Sequence, residues 1–413
     1  MKRKKLFFPL LKFRLFSFRS KSSQLVIFSS KLLRTFLAKN EYRMQKFYSS
    51  QKSVKGALEA LADKKIKGIR FNYDKSVYAE IFEKVNMKRT YMDRNGNPTG
   101  RLNIIDYNTR LSPMTYHLNT VFEPEHHLIY PDGQAAFKFW KNMEIEELEM
   151  KNIHVLQTSV ASTVKANLLT KPLQEKLINP SFLPTLSDEE EQKLKEEHIE
   201  PVNDTILFIG DFMSSTHAGA LRTCIYYNEV RTSMFRYGGV KFLAWTTPNE
   251  VLKYVGPLGS IHRRTNAMMA NLYSDIRIIA CSEKLSNPKA MRLVGEMDTV
   301  KLPFNELDGE VCLLELQSNH NKYDIKFHDE LHLIIHKLFC TPGALLDEKL
   351  HVLGPGAEEY LRSNVPQEVL HKKISMITNQ EFVDLSEIYF YWPFKPNTSL
   401  ETYGNQDSFF DNE

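Results

Sequence analysis

DTILFIGDF at 204–212 and VKFLAWTT at 240–247 decide the fold. Each is a short, nearly continuous apolar run, the pattern of a strand buried on both faces. Residues 213–239 between them leave room for a crossover helix. Working outward, the same kind of run recurs upstream as RLNIIDY (101–107), HHLIYP (126–131) and NIHVLQT (152–158). Downstream it recurs as DIRIIACS (275–282) and VCLLELQ (311–317). Apolar strands alternating with helical stretches predict a doubly wound α/β core of about seven strands, mostly parallel and covered on both faces.

Ahead of the sheet, IKGIRFNYDKSVYAEIFEKVNMKRTY (66–91) places Val77, Ile81 and Val85 four apart on one face of an amphipathic helix, which the turn residues DRNGNPTG (93–100) stop. Residues 161–203 read as a long charged surface insert. Within it Ser187 and Glu190 have capping-box spacing ahead of a Glu/Lys helix. From about 318 the strand signal fades into helical patterns, broken by turn signals at 341–343, 354–356 and 364–366.

The formal charge of +4 conceals a division. Residues 1–56 carry 15 Lys/Arg against one acidic residue, Glu41, a charge of +14, which leaves −10 for residues 57–413. An acidic body excludes a generally basic nucleic-acid coat, so any nucleic-acid contact must be local or assisted by a partner. The first 56 residues are rich in Lys, Arg, Ser, Phe and Leu, the composition of a mitochondrial transit peptide, and Lys46 to Ser49 resembles a presequence cleavage pattern. Lys12, Arg14, Arg19 and Lys21 interrupt the apolar stretches, so no run reaches the ~18 residues of a membrane span. A basic nucleic-acid-binding arm fits less well, because Phe and Leu are too frequent for a solvated tail.

Cys224, Cys281, Cys312 and Cys340 lie far apart with no CxxC pair, which argues against a zinc module or a disulfide framework and reads as reduced thiols. No metal site is expected. His328, His332 and His336 sit four apart, but Asp329 and Glu330 occupy the wrong places for HExxH, so the three read as a polar helix face touching solvent. His126 and His127 read as structural. Neither a P-loop nor a GxSxG elbow occurs, and nucleophilic catalysis has no support. The exit of the first strand, IIDYNTRLSPMTYHL (104–118), holds no glycine, which argues against tight dinucleotide or adenosyl binding.

One cluster favours nucleic acid. Arg236, Tyr237, Lys241, Trp245, His262, Arg263 and Arg264 gather near the fifth strand and its exit, combining cations for phosphates with rings for unpaired bases. Phe235 and Trp245 are expected in the core, as aromatics on apolar strands usually are. The HisArgArg run after GPLG predicts a local positive prominence.

Taken in order, SVYAEIFEKVNMKRTY, MFRYGGVKFLAW, GPLGSIHRR, HLIIHKLFCTPGALLDEKLHVLGPGAEEYL and the closing YFYWPFKPN resemble the fungal mitochondrial RNA polymerase specificity factors, the mitochondrial transcription factor B family related to rRNA adenine N6-dimethyltransferases. The resemblance runs from about Ile66 to Asn397. It implies a Rossmann-like class I methyltransferase fold over 57–317, a small helical C-terminal domain over 318–397, and a flexible acidic tail over 398–413 that reaches toward the polymerase. The S-adenosylmethionine site of the enzymes is matched by departures. Asp106 stands at the acidic residue ending strand one, Arg110 and Ser112 at glycine positions, Pro131 at the ribose acid and Ser159 at the adenine-side acid. The catalytic loop falls on Asp211, Phe212, Met213 and Ser214, without its proline and stacking ring.

The implied protein is an inactive methyltransferase homologue with no catalytic residues and no cofactor. It would act in the mitochondrial matrix as a monomer without membrane contact, helping the single-subunit mitochondrial RNA polymerase recognise and melt promoters while it holds the non-template strand near the start site. The expected nucleic-acid contacts are Arg263, Arg264, His262, Arg236, Tyr237 and Lys241. The alternative is an active mitochondrial rRNA adenine N6-dimethyltransferase with a divergent cofactor loop.

Overall fold

The computed structural model describes residues 70–71, 73–107, 112–131, 137, 140–141, 150, 152–156, 187–295, 297–304 and 308–396. The leader 1–56, the first part of the charged insert, Arg110, Ser159 and the tail 398–413 lie outside the described residues. In chain order the α/β part comprises α1 (Lys75–Lys84), α2 (Met87–Tyr91), β1 (Asn103–Tyr107), α3 (Pro113–Phe122), β2 (His126–Ile129), β3 (Ile153–Val155), α4 (Asp188–Glu196), β4 (Val202–Asp211), α5 (Ser215–Glu229), β5 (Gly239–Thr246), α6 (Pro248–Val255), α7 (Thr265–Tyr273), β6 (Ser274–Ser282), α8 (Pro288–Gly295), β7 (Val300–Leu302) and β8 (Cys312–Ser318). The helices α9 (His328–Leu338), α10 (Leu346–Lys349), α11 (Ala357–Asn364), α12 (Gln367–Leu370) and α13 (Asn379–Phe390) follow.

The strands form one sheet in the order β3-β2-β1-β4-β5-β8-β6-β7. Every neighbouring pair is parallel except those of β8, which runs antiparallel to β5 on one side and β6 on the other. The short segment 303–311 before β8 is too brief for the helical crossover that a parallel return requires, so the last strand comes back reversed. A parallel sheet that turns outward from β1 in both directions, with one reversed strand wedged beside β5, is the class I methyltransferase arrangement. The sequence pattern misses β7: three residues, with Lys301 exposed at their centre, leave no apolar run to read.

Side chains alternate across the sheet as a period of two requires. Ile105, Tyr107, Phe208, Phe242 and Leu314 pack on one face with Leu221, Cys224 and Val251 from α5 and α6. Ile104, Leu207, Ile209, Leu243 and Trp245 pack on the other with Tyr78, Ile81 and Phe82 of α1 and Met114 and Leu118 of α3. Phe208 stacks on Phe242 at 4.6 Å between centroids, and Phe71 stacks on Trp245 at 4.4 Å. Burying each ring contributes about 1.5–3 kcal/mol. Phe235 and Trp245 are both core residues.

The opening helix is two helices. Ile81 and Val85 are buried and Val77 partly so, but Asn86 adopts the left-handed conformation at φ +54° and breaks the helix between α1 and α2. Asparagine tolerates that conformation better than most residues. Ser187 and Glu190 do form a capping box at the start of α4, each satisfying the other's backbone N–H.

A second core lies among the C-terminal helices, where Leu331, Ile334, Ile335, Leu353, Phe382, Tyr389 and Trp392 meet. Met268, Met269, Leu272 and Tyr273 of α7 belong to it, so α7 ties the helices to the sheet. The GlyProGly turn is demanded by this packing. Gly354 sits at φ +158°, and a Cβ there would lie 3.1 Å from the Trp392 ring.

Candidate functional site

In open α/β sheets, ligands bind outside the carboxyl ends of the strands, and Asp106, Ser112, Pro131 and Asp211, which the resemblance matches to cofactor-site positions, lie there. Asp106, next to last in β1, is fully buried against His127 of β2, whose Nε2 is 3.3 Å from Asp106 Oδ2. Asn119 Nδ2 donates to His127 Nδ1 at 3.2 Å, which places the imidazole proton on Nε2, toward the carboxylate. Asp106 is thus engaged by its own fold. Ser112 is the N-cap of α3: its Oγ accepts Met114 N–H at 3.2 Å, and Pro113 follows at the first helical position. Pro131 is buried immediately beyond β2.

The loop after β4 is drawn inward. Asp211, 3% exposed, accepts Met213 N–H on Oδ1 at 3.0 Å. Phe212 is fully buried and donates its N–H to Trp245 O at 2.7 Å. Its ring stacks against Tyr107 (5.8 Å) and Phe242 (5.8 Å) and lies over Gly210, where a Cβ would meet it at 2.6 Å. Ser214 caps α5, with its Oγ 2.6 Å from His217 Nδ1. Tyr107, Tyr130, Leu156 and Phe212 belong to one apolar cluster. The one ring of this loop, Phe212, is therefore packed into the protein, and Ser214 stands where the enzymes carry the stacking ring.

The nucleic-acid set divides. Arg264 and Arg236 are exposed and His262 is partly exposed, with its imidazole pKa lowered by partial burial and by the nearby charges of Lys289 and Arg264. The other three point inward, which corrects the expected prominence. Arg263 is 4% exposed: Nη1 donates to Ile377 O at 2.9 Å and Nη2 to Asn379 Oδ1 at 2.8 Å. It is a strut from the 256–264 loop to the C-terminal helices, aided by Gly259 N–H donating to Ser375 O at 2.8 Å. Gly259 sits at φ +76°, and a Cβ there would strike Met376 Sδ. Lys241 is buried and donates to Val85 O at 2.7 Å and Glu315 Oε1 at 2.8 Å. Tyr237 is 4% exposed beneath Arg236, whose guanidinium lies 5.7 Å from its ring centroid. A buried cation already bonded on its donors cannot serve a phosphate from solution.

Sequence reasoning also missed a polar junction. His328 and His336 of α9 are exposed, as expected, whereas His332 is buried; the Tyr273 hydroxyl is 2.9 Å from His328 Nδ1 and 3.3 Å from His332 Nε2. His332 Nε2 also lies 2.7 Å from Glu229 Oε1 at the end of α5. Burial lowers His332 to about 3 and raises the Glu229 carboxyl to about 8, so at neutral pH the pair is an uncharged acid and imidazole sharing one hydrogen bond. Nearby His320 is lowered to about 4, first by burial and then by Arg231. Among the described residues, no group of three His, Cys, Asp or Glu side chains is placed to hold a metal ion.

These directions fix a pH dependence. The histidines bind protons near 6.5 when unfolded but resist them when folded, so stability is expected to fall by about several kcal/mol as pH drops from 6.5 toward 4. Glu229 acts oppositely, favouring the fold below its ordinary 4.5 and losing that contribution as pH rises toward 8. Urea midpoints from pH 4 to 8 check both, and Glu229→Gln is expected to flatten only the alkaline limb.

No protein-family profile matches the chain. Among curated proteins it is similar to mitochondrial transcription factor 1 of Saccharomyces cerevisiae, 21% identical over 347 residues that cover 81% of this chain and 92% of that protein. It is also similar to the proteins of that name from Saccharomyces paradoxus (22%, the same coverage) and Lachancea kluyveri (21%, the same coverage). Similar solved structures include a dimethyladenosine transferase from Plasmodium falciparum (7% identity, 76% of this chain and 94% of that chain, TM-score 0.46) and the 23S rRNA methyltransferase ErmE (11%, 76% and 98%, TM-score 0.44). The sheet order defines a protein of the methyltransferase fold. Within that class, the chain is similar to the yeast mitochondrial transcription factors along most of their length, as the ordered motifs indicated.

Proposed function

We propose that this protein is a mitochondrial transcription initiation factor that works without S-adenosylmethionine. It acts in the matrix as a monomer, joins the mitochondrial RNA polymerase, and holds the non-template strand of a melted promoter near the start site. The observation that carries this reading is similarity to mitochondrial transcription factor 1 along 92% of the relatives' length. The inward Phe212 and the engaged Asp106 support it, since they turn the strand ends from a cofactor cradle into packed core. Among the described residues no helix is long and apolar enough to cross a membrane.

Holding bases apart costs a few kcal/mol per step, which stacking and phosphate contacts in a preformed groove offset. Of the residues expected at that groove, Arg264, Arg236 and His262 present groups at the surface and take the phosphate contacts. The acidic body, −10 over residues 57–413, disfavours free duplex, so the polymerase delivers the factor to its promoter. Photocrosslinking tests this: with polymerase and duplex promoter present, the non-template strand should crosslink in preference to the template strand. Equal crosslinking of both strands without polymerase would refute the reading.

Retention of Asp106 and Asp211 is the observation that favours the enzymatic alternative. Calorimetry with S-adenosylmethionine separates the two: no heat is expected, and micromolar binding would support the methyltransferase.

A further inference from the structure

Cys281 and Cys312 face each other across the antiparallel pair β6 and β8, in direct register. Both are fully buried, and their sulfurs lie 2.8 Å apart. One step along the ladder, Ser282 N–H donates to Val311 O at 2.9 Å, which makes Cys281 and Cys312 a non-hydrogen-bonded pair. Directly opposed residues of that kind have Cα atoms about 4.5 Å apart, inside the roughly 4.4–6.8 Å that a disulfide spans. The ladder ends here. Val311 N–H turns to Ser282 Oγ at 2.9 Å instead of a backbone carbonyl, and a register shift between Ile278 and Ala280 loosens β6 from β8 three residues earlier. Closing the bond needs a sulfur displacement of under an ångström at the last pair of the β6–β8 ladder.

We propose that Cys281 and Cys312 form an oxidation site at which a peroxide closes an intrachain disulfide. The Cys281 thiolate attacks one peroxide oxygen, the O–O bond breaks, and the departing hydroxide takes up the thiol's proton as water, leaving a sulfenic acid on Cys281. The Cys312 sulfur then displaces that hydroxyl, giving the S–S bond and a second water. Two thiols lose two electrons, and one peroxide is reduced to two waters. Either sulfur can donate the hydrogen bond that the two share; the positive charge of Lys301 beside Cys281 favours the thiolate there, which gives Cys281 the attacking role and Cys312 the resolving one. Cys224 has no opposed thiol and burial pushes it up to about 12, so it stays reduced. Cys340 is exposed and open to oxidants and to other molecules.

The test uses the full-length chain with Cys340→Ser, to prevent links between molecules. After hydrogen peroxide treatment the protein is quenched, denatured, alkylated and digested without reduction. A linked peptide pair holding Cys281 and Cys312, abolished by reductant, with Cys224 recovered alkylated, is the expected result. Recovery of Cys281 and Cys312 alkylated, at peroxide doses that oxidise Cys340 in the parent chain, would overturn the proposal. So would sulfinic acid at Cys281 without a link. Cys312→Ser should leave a Cys281 sulfenic acid trappable by dimedone; should that variant fail to fold, the digest of the chain with both cysteines still decides.

Discussion

Arg263→Ala is expected to lower stability by about 3 kcal/mol, because it strands two buried acceptors, Ile377 O and Asn379 Oδ1, that the guanidinium serves together. Burial lowers the Arg263 pKa to about 10, which still leaves it charged at neutral pH. Arg263→Lys should recover little, since one ammonium at the end of a flexible stem does not reproduce the fork that reaches both acceptors. The neighbouring substitution separates structure from binding. Arg264 is exposed and makes no side-chain cap to α7, so Arg264→Ala should change stability by no more than about 0.5 kcal/mol. It should instead weaken single-strand binding in the polymerase complex and reduce the salt slope by about one. Urea denaturation and salt-titrated fluorescence anisotropy measure the two effects. Equal stability losses at both positions would contradict the strut.

Glu315→Ala should cost about 3–5 kcal/mol, because it leaves the buried Lys241 ammonium without its counter-charge. Glu315 is itself 1% exposed and also takes Arg277, whose Nε donates to Oε2 at 2.9 Å. Lys241→Met is milder, about 2 kcal/mol, since Glu315 keeps Arg277. The double change Lys241→Met with Glu315→Leu should recover most of the loss, as apolar replacements of buried ion pairs often do. A double-mutant cycle from urea midpoints gives the coupling directly.

The contrast between these two cations explains what a sequence conveys. Strands were legible where burial on both faces writes an apolar run, as in β4 and β5. They were illegible at β7, where three residues at the sheet edge leave Lys301 in water. The capping box at Ser187 was legible because it depends on local spacing. The break at Asn86 was not, since the apolar spacing of Val77, Ile81 and Val85 runs right up to it and a lone asparagine does not announce a left-handed backbone.

At the candidate site, adjacency was the wrong guide. HisArgArg reads as one basic point, yet consecutive side chains leave the backbone in different directions, and the C-terminal helices that capture Arg263 lie over a hundred residues away. Lys241 did carry a signal: a lone cation inside VKFLAWTT, matched by a lone acid inside VCLLELQ, marks a buried pair across neighbouring strands. Asp106 and Asp211 could be placed at strand ends, whereas the inward fold of Phe212 rests on its contacts with Tyr107 and Gly210, which spacing does not reveal.

The central proposal is that this chain opens promoters and does not transfer methyl groups. Run-off transcription with the cognate mitochondrial polymerase on a linear duplex promoter tests it most directly. Specific initiation should require this protein on the duplex and proceed without it when the start site is premelted; equal initiation from the duplex in its absence would contradict the account.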